Sequence, residues 1–225
     1  MNATGALAQM LRKVIGADGQ AKSRLHTRRG EPASARQLLS LPAMAGQRLA
    51  GAWRLSSVPW IAPSAVRWLD HELSGIRLLE LGSGSSTAWY AARCRTVLSI
   101  EPNREWATIV RRRTAHLPNV EIRIGSVRDV LDIVLSAEEF DVVVVDHTDE
   151  KGMTRADAVA AVLAAGQACW CIVVDDSDRP EYRSVPKMLD GWNAFQARGF
   201  RPNPLRLTET TIWTRRSMRA IANEW

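Results

Sequence analysis

Between residues 76 and 174 the chain alternates short apolar runs with longer stretches whose apolar positions recur every three or four residues. The short runs read as strands and the longer stretches as amphipathic helices. Strands are predicted at about 76–81, 96–100, 140–146 and 171–174, and at 120–124, where Val120, Ile122 and Ile124 alternate with Glu121 and Arg123. Val142 to Val145 is apolar on both faces, the pattern of a central parallel strand covered on each side. Helices are predicted between these runs. They fall at about 86–93, after Pro102 through Trp106, Ile109 and Val110, through Val130, Leu131 and Val134, and at 156–165. Ahead of the first strand, Val66, Leu69 and Leu73 share a helical face that Gly75 ends. After the fifth, Met188, Leu189, Trp192 and Phe195 predict a helix ending at Gly199, and Leu205 to Arg215 holds two short β-prone runs that predict a hairpin. Repeated strand–helix units imply parallel strands with right-handed crossovers. The expected class is therefore α/β, a doubly wound, mostly parallel sheet with a C-terminal antiparallel hairpin.

The N-terminal part is different. Leu7, Met10, Leu11 and Val14 fit one short amphipathic helix, 18–36 reads as loop or flexible linker, and 33–49 reads as helix interrupted by Pro42. Trp53, Pro59, Trp60 and Pro63 mark a leading loop. The expected organisation is an extension over 1–58, partly helical or flexible, a ligand-binding domain over 59–218, and a tail over 219–225. Of the nine tryptophans, Trp68, Trp106, Trp170 and Trp192 sit on apolar periodic faces and read as core.

Charge sharpens this division. The net charge is +6, and residues 1–60 alone hold nine Lys and Arg against two acids, so the remainder is close to neutral. A basic extension suits a solvated leader, and it also permits contact with nucleic acid or an acidic partner. No apolar run approaches the roughly 20 residues needed to span a bilayer, and no secretory signal is evident. Cys94, Cys169 and Cys171 are too few and too odd in number for a disulfide framework and read as buried thiols, so a cytoplasmic location is expected.

The chemistry collects where the apolar runs end. Each predicted strand is followed at once by a polar or acidic residue: Glu80, Glu101, Ser126, Asp146, and the pair Asp175 and Asp176. In an open parallel sheet, ligands bind beyond those carboxyl ends. Gly82-Ser83-Gly84 follows the first strand and opens a helix, a turn that lets the backbone approach a ligand closely. Glu80 beside that turn would repel the pyrophosphate of a dinucleotide and attract the ammonium and sulfonium of S-adenosylmethionine. Glu101, 17 positions after Gly84, suits both hydroxyls of a ribose.

With these residues in view, 59–216 resembles the class I, seven-stranded, Rossmann-like S-adenosylmethionine-dependent methyltransferases, including a little-characterised bacterial branch. Glu80-Leu81-Gly82-Ser83-Gly84 matches their acid-x-Gly-x-Gly motif, although Ser86 stands where many members carry a third glycine. The resemblance implies that Glu80, Gly82, Ser83 and Gly84 hold the methionine end, Glu101 the ribose, and Ser126 and Val127 the adenine. Asp146 would border the methyl donor. It further implies methyl transfer to an O or N nucleophile, with a small molecule as the expected acceptor. Asp146, Asp175 and Asp176 resemble the Mg²⁺ site of catechol-type O-methyltransferases, and hard oxygen ligands suit that ion. Asp175 and Asp176 also read as caps of the following turn, with Asp178 and Arg179 as a local ion pair. His147 is a candidate general base beside Asp146, since its ordinary pKa is near neutral. Two other classes remain open: an NAD-dependent oxidoreductase, and a catalytically idle cofactor-binding or scaffold protein. The oligomeric state is not legible.

Overall fold

The computed structural model describes residues 21–49, 58–202 and 205–217. The stretch through Leu7 and Val14, Trp53 and the tail 219–225 lie outside the described residues. In chain order the elements are α1 (Ala35–Leu39), α2 (Leu41–Leu49), α3 (Pro63–Glu72), β1 (Arg77–Leu81), α4 (Ser85–Ala91), β2 (Thr96–Glu101), α5 (Arg104–Thr114), β3 (Val120–Ile124) and α6 (Val127–Ala137). There follow β4 (Val142–Val145), α7 (Arg155–Ala164), β5 (Cys171–Asp175), a 3-10 turn (Pro180–Tyr182), α8 (Val185–Met188), β6 (Asn193–Pro202) and β7 (Leu205–Thr214).

The strands form one sheet in the order β3-β2-β1-β4-β5-β7-β6. Strands β1 to β5 are parallel, β7 runs antiparallel to β5, and β6 antiparallel to β7. Alternation along each strand builds two cores. Leu79, Leu81, Val143, Val145, Ile172 and Val174 face a layer with Leu131 and Val134 of α6 and Val159 and Val162 of α7. Leu78, Val142, Val144 and Val173 face the opposite layer, with Trp68 and Leu69 of α3 and Trp89 and Tyr90 of α4. Strand β1 lies between β2 and β4. The strand order reverses there, the place beyond the carboxyl edge where open parallel sheets bind ligands.

Two expectations about the C-terminal part are corrected. The helix through Trp192 and Phe195 does not form: α8 ends at Met188, and β6 starts at Asn193 after a turn at Gly191, whose φ is +81°. Phe195 and Ala197, two apart, pack towards the α3 layer, so their period is that of a strand. Gly199 is no helix end. It is where β6 crosses α3, and a Cβ there would lie 2.7 Å from Pro63 Cδ. The hairpin is also larger than expected, since Leu205 to Thr214 is one strand that pairs with β6 over its whole length.

Residues 21–49 pack on this hairpin. Leu25, Ala33, Leu41, Met44 and Ala45 lie against Phe200, Leu205 and Leu207, and the Leu207 amide donates to the Arg24 carbonyl at 2.8 Å. Pro42 falls in the first turn of α2, where a missing amide proton costs nothing, so the segment forms two helices parted at Ser40. Trp68 and Trp170 are core as expected, while Trp106 and Trp192 are half-buried. The three cysteines are buried free thiols, and burial raises the pKa of Cys94 to about 12 and of Cys169 to about 11. Among the described residues no helix is long and apolar enough to cross a membrane.

Candidate cofactor corner and active edge

Gly82 leaves β1 at φ +95°, a conformation that favours glycine. A Cβ there would sit 2.8 Å from His147 Cα, 2.9 Å from the Asp146 carbonyl oxygen and 2.9 Å from His147 N, all main-chain atoms. The turn therefore presses directly on the end of β4, an approach that the Asp146 amide fixes by donating to the Leu81 carbonyl at 3.0 Å. Gly84 differs. Its φ of −171° is ordinary extended backbone, and a Cβ would meet only Ser86 Oγ, at 3.6 Å. Nothing in the chain itself requires glycine there, which fits a backbone kept bare for a ligand.

Glu80 is 1% exposed, beneath the turn. Ser86 Oγ donates to its Oε1 at 2.5 Å, and Thr87 Oγ1 and Ser99 Oγ donate to Oε2 at 2.7 and 2.8 Å. Burial raises its pKa to about 7 against the opposing pull of those hydroxyls. Ser86, standing in place of a third glycine, thus contributes a hydroxyl to this carboxylate.

Glu101 closes β2 and binds the turn. The amide and hydroxyl of Ser83 donate to Oε2 at 2.9 and 3.1 Å, and the Asn103 amide donates to Oε1 at 2.9 Å. Burial raises its pKa despite these bonds. Trp106 Nε1 donates to the Ser83 carbonyl at 2.7 Å, so Ser83 is held at every polar atom. Trp106 was expected only in the core; its role on the turn went unseen because nothing in a sequence distinguishes an indole N–H with a loop partner. Replacing Trp106 with Phe keeps a ring and removes that bond. One lost hydrogen bond should cost about 0.5–1.5 kcal/mol, read as a melting temperature lower by a few degrees; an unchanged melting temperature would contradict the role given to Trp106.

Ser126 caps α6, its hydroxyl accepting from the Asp129 amide, and the Val127 amide donates to Glu150 Oε1 at 3.1 Å. His147 is 1% exposed, and neither ring nitrogen makes a hydrogen bond. Burial, then Arg155, lowers its pKa to about 4, so the ring is neutral at pH 7. Its placement does not bring the imidazole to solvent, where an acceptor would offer a proton.

The remaining strand ends hold an array of ion pairs. Arg155, the first residue of α7, donates through Nε to the His147 carbonyl at 2.9 Å, through Nη1 to the Asp175 carbonyl at 2.6 Å, and through Nη2 to the Asp146 carbonyl at 3.2 Å. The same Nη2 pairs with Asp146 Oδ1 at 2.9 Å. The Asp146 side chain is 33% exposed, unlike the fully buried Asp175. Asp175 accepts from Thr210 Oγ1 at 2.6 Å and pairs with Arg201 at 3.2 Å. Asp176 accepts from both Nη atoms of Arg28, at 2.9 and 3.1 Å, and pairs with Arg179 at 2.8 Å. Burial and its acidic neighbours raise the Asp175 pKa to about 7, whereas for Asp176 the guanidinium groups outweigh burial and hold it far below the usual range.

The expected Mg²⁺ site gains no support from this arrangement. Asp146, Asp175 and Asp176 do come together, but guanidinium groups hold them, and among the described residues no cluster of His, Cys, Asp and Glu is arranged for a metal ion. Arg28 is also drawn inward, whereas Arg29 pairs with Glu209 at 3.3 Å and stays exposed.

A seven-stranded sheet in this order, with β7 reversed beside β5, decides the architecture. The fold is that of the class I methyltransferases. The chain is similar in structure to an O-methyltransferase from Bacillus cereus in complex with SAH, at 15% identity and a TM-score of 0.57, covering 93% of this chain and 97% of that one. It is also similar to the O-methyltransferase TomG of Streptomyces achromogenes, involved in tomaymycin synthesis and in complex with SAM, at 22% identity and a TM-score of 0.53, covering 78% and 89%. A third similar structure is cofactor-bound Rv0187 from MTB, at 18% identity and a TM-score of 0.54, covering 95% and 97%. No protein-family model matches the sequence, and no curated protein matches it.

Proposed function

We propose that the protein is an S-adenosylmethionine-dependent methyltransferase acting on an O or N nucleophile of a small molecule. The observation that carries this reading is the tie between Ser83, in the glycine turn, and Glu101, at the next strand end. That tie sets the Glu101 carboxylate beside the glycine turn, at the point where the strand order reverses, and so supports reading Glu101 as the ribose acceptor. Glu80 beneath the turn and the antiparallel β7 favour a cationic cofactor over a dinucleotide. The Bacillus cereus and Streptomyces achromogenes structures hold SAH and SAM on this fold, which supports the same donor here.

S-adenosylmethionine would supply a methyl group already activated by its sulfonium. The chain's residues then have mainly to bind, align and exclude water. Glu101 would hold the ribose hydroxyls, sharing its carboxylate with Ser83. The backbone around Gly82 and Gly84, with Glu80 below, would hold the methionine end. Ser126 and Val127 would line the adenine side. Asp146, the exposed acid at the end of β4, would border the reacting centre.

Two variants test this. Glu101→Ala removes charge-assisted hydrogen bonds worth about 1.5–3 kcal/mol, so S-adenosylhomocysteine affinity should fall roughly ten- to hundredfold. Glu80 adds a pH signature. Its folded pKa of about 7 lies above the ordinary 4.5, so the stability it contributes is full below 4.5 and is lost as pH rises through 7. A bound cation favours the ionised carboxylate, so cofactor affinity should rise from pH 6 to 8 in the native protein and flatten in Glu80→Gln. Equal pH profiles for the two would contradict the role given to Glu80.

A further inference from the structure

Adjoining acids at the ends of β4 and β5 have the composition of a divalent-cation site, and what surrounds them is unusual for one. Both oxygens of Asp176 accept from Arg28, and Oδ1 also accepts from Thr208 Oγ1 at 3.0 Å. Both oxygens of Asp175 are engaged, Oδ1 by Thr210 and Oδ2 by Arg201. Asp178, 0% exposed, accepts from the Arg28 amide at 2.6 Å and from its guanidinium at 2.9 Å. Four carboxylates, Asp146, Asp175, Asp176 and Asp178, thus meet four guanidinium groups, Arg28, Arg155, Arg179 and Arg201. Asp176 has φ +52°, and among the described residues it is the single non-glycine residue on the positive side. Such a conformation persists where surroundings over-determine it, and here Arg28, Arg179 and Thr208 fix its side chain.

A magnesium or manganese ion needs carboxylates free to turn towards it, with waters completing an octahedron. Here the negative charge is already matched, and an entering dication would face four cations across a few ångströms in a region shielded from water. One of the four, Arg28, is 2% exposed and comes from the N-terminal segment, pinned there by the hydrogen bond its backbone N–H donates to Asp178.

We propose that this arginine lattice stands in the place of a divalent cation, so that the protein works without metal and residues 21–34 are part of the active edge through Arg28. Metal independence follows from the charge balance alone; the link to catalysis rests on the methyltransferase reading. The lattice neutralises the strand-end carboxylates permanently, where a metal would do so reversibly. Asp146, paired on one oxygen by Arg155, remains the acid that reaches solvent.

Manganese is the probe. The full chain is titrated with Mn²⁺ to millimolar concentration, with and without S-adenosylhomocysteine, and free ion is followed by electron paramagnetic resonance. The expected result is no stoichiometric uptake, with S-adenosylhomocysteine affinity unchanged by a chelator. Uptake of one Mn²⁺ per chain at micromolar affinity, lost in Asp176→Asn, would overturn the proposal. In Arg28→Gln the carboxylates of Asp176 and Asp178 lose their partner, and the variant should gain a Mn²⁺-dependent rise in melting temperature on the order of 5 °C at 1 mM, absent from the native chain. A folded Arg28→Gln that still ignores Mn²⁺ would overturn the claim that the guanidinium takes the cation's place. If S-adenosylhomocysteine does not bind while Mn²⁺ is still ignored, the functional reading falls and the lattice stands.

Discussion

Replacing Arg155 with methionine should lower the melting temperature by roughly 10 °C or more, a larger loss than at any other position in the active edge. The side chain is buried at the start of α7, and its guanidinium serves three main-chain carbonyls, those of Asp146, His147 and Asp175, together with the Asp146 carboxylate. Methionine keeps most of the volume, so the loss is electrostatic. Breaking a buried pair by removing one partner costs about 3–5 kcal/mol, because the charge left behind has neither water nor a counter-ion. Here the stranded groups are the carbonyls of Asp146, His147 and Asp175, while the Asp146 carboxylate keeps only the water that reaches its 33% exposed side chain. Lysine restores one charge but cannot reach three carbonyls in one plane, so Arg155→Lys should fall between native and methionine. Thermal denaturation at pH 7 checks the order. A shift under about 2 °C for methionine would mean that Arg155 is not the clamp between β4 and β5.

The second large effect separates the two glycines of the turn. Gly82→Ala must place a Cβ against main-chain atoms of Asp146 and His147 that cannot swing aside, at a φ of +95°. Strain of about 1–3 kcal/mol from the backbone alone, with the steric clash added, should lower the melting temperature by several degrees and abolish cofactor binding. Gly84→Ala meets only Ser86 Oγ at 3.6 Å and has an extended φ, so the apo protein should melt within about 1–2 °C of native. Its cost should appear only with S-adenosylhomocysteine present, as a tenfold or greater loss of affinity. The contrast is the informative result. Two glycines with equal effects on stability would show that the turn is simply a structural corner.

The central parallel strands were legible because burial on both faces leaves apolar runs, as at Val142 to Val145, and the edge strand β3 because Val120, Ile122 and Ile124 alternate with charged residues. The glycine corner was legible because strand, turn, helix and next strand end are contiguous, so the neighbourhood of Glu80 and Glu101 could be read from spacing. Strand β6 was not. Its early residues are largely exposed, and Trp192 with Phe195 happens to match a helical spacing, so the hydrophobic period pointed the wrong way. The lattice was invisible in principle. Arg28, Arg155 and Arg201 lie in three distant segments, and an isolated arginine in a sequence reads as surface. Only the position of Arg155, directly after the Thr154 cap of an otherwise alanine-rich helix, offered a signal, since the first turn of a helix disfavours a cation unless acids surround it. The carboxylates were correctly read as neighbours, and their partners in the structure are arginines.

The central claim is that the crevice between β1 and β4 takes an adenosine-bearing cofactor of methyl transfer. Calorimetric titration of the full chain with S-adenosylhomocysteine and, separately, with NADH tests it most directly. One equivalent of S-adenosylhomocysteine should bind and NADH should not, with the S-adenosylhomocysteine signal reduced at least tenfold in Glu101→Ala. Binding of NADH in its place, or S-adenosylhomocysteine binding indifferent to Glu101, would contradict the account.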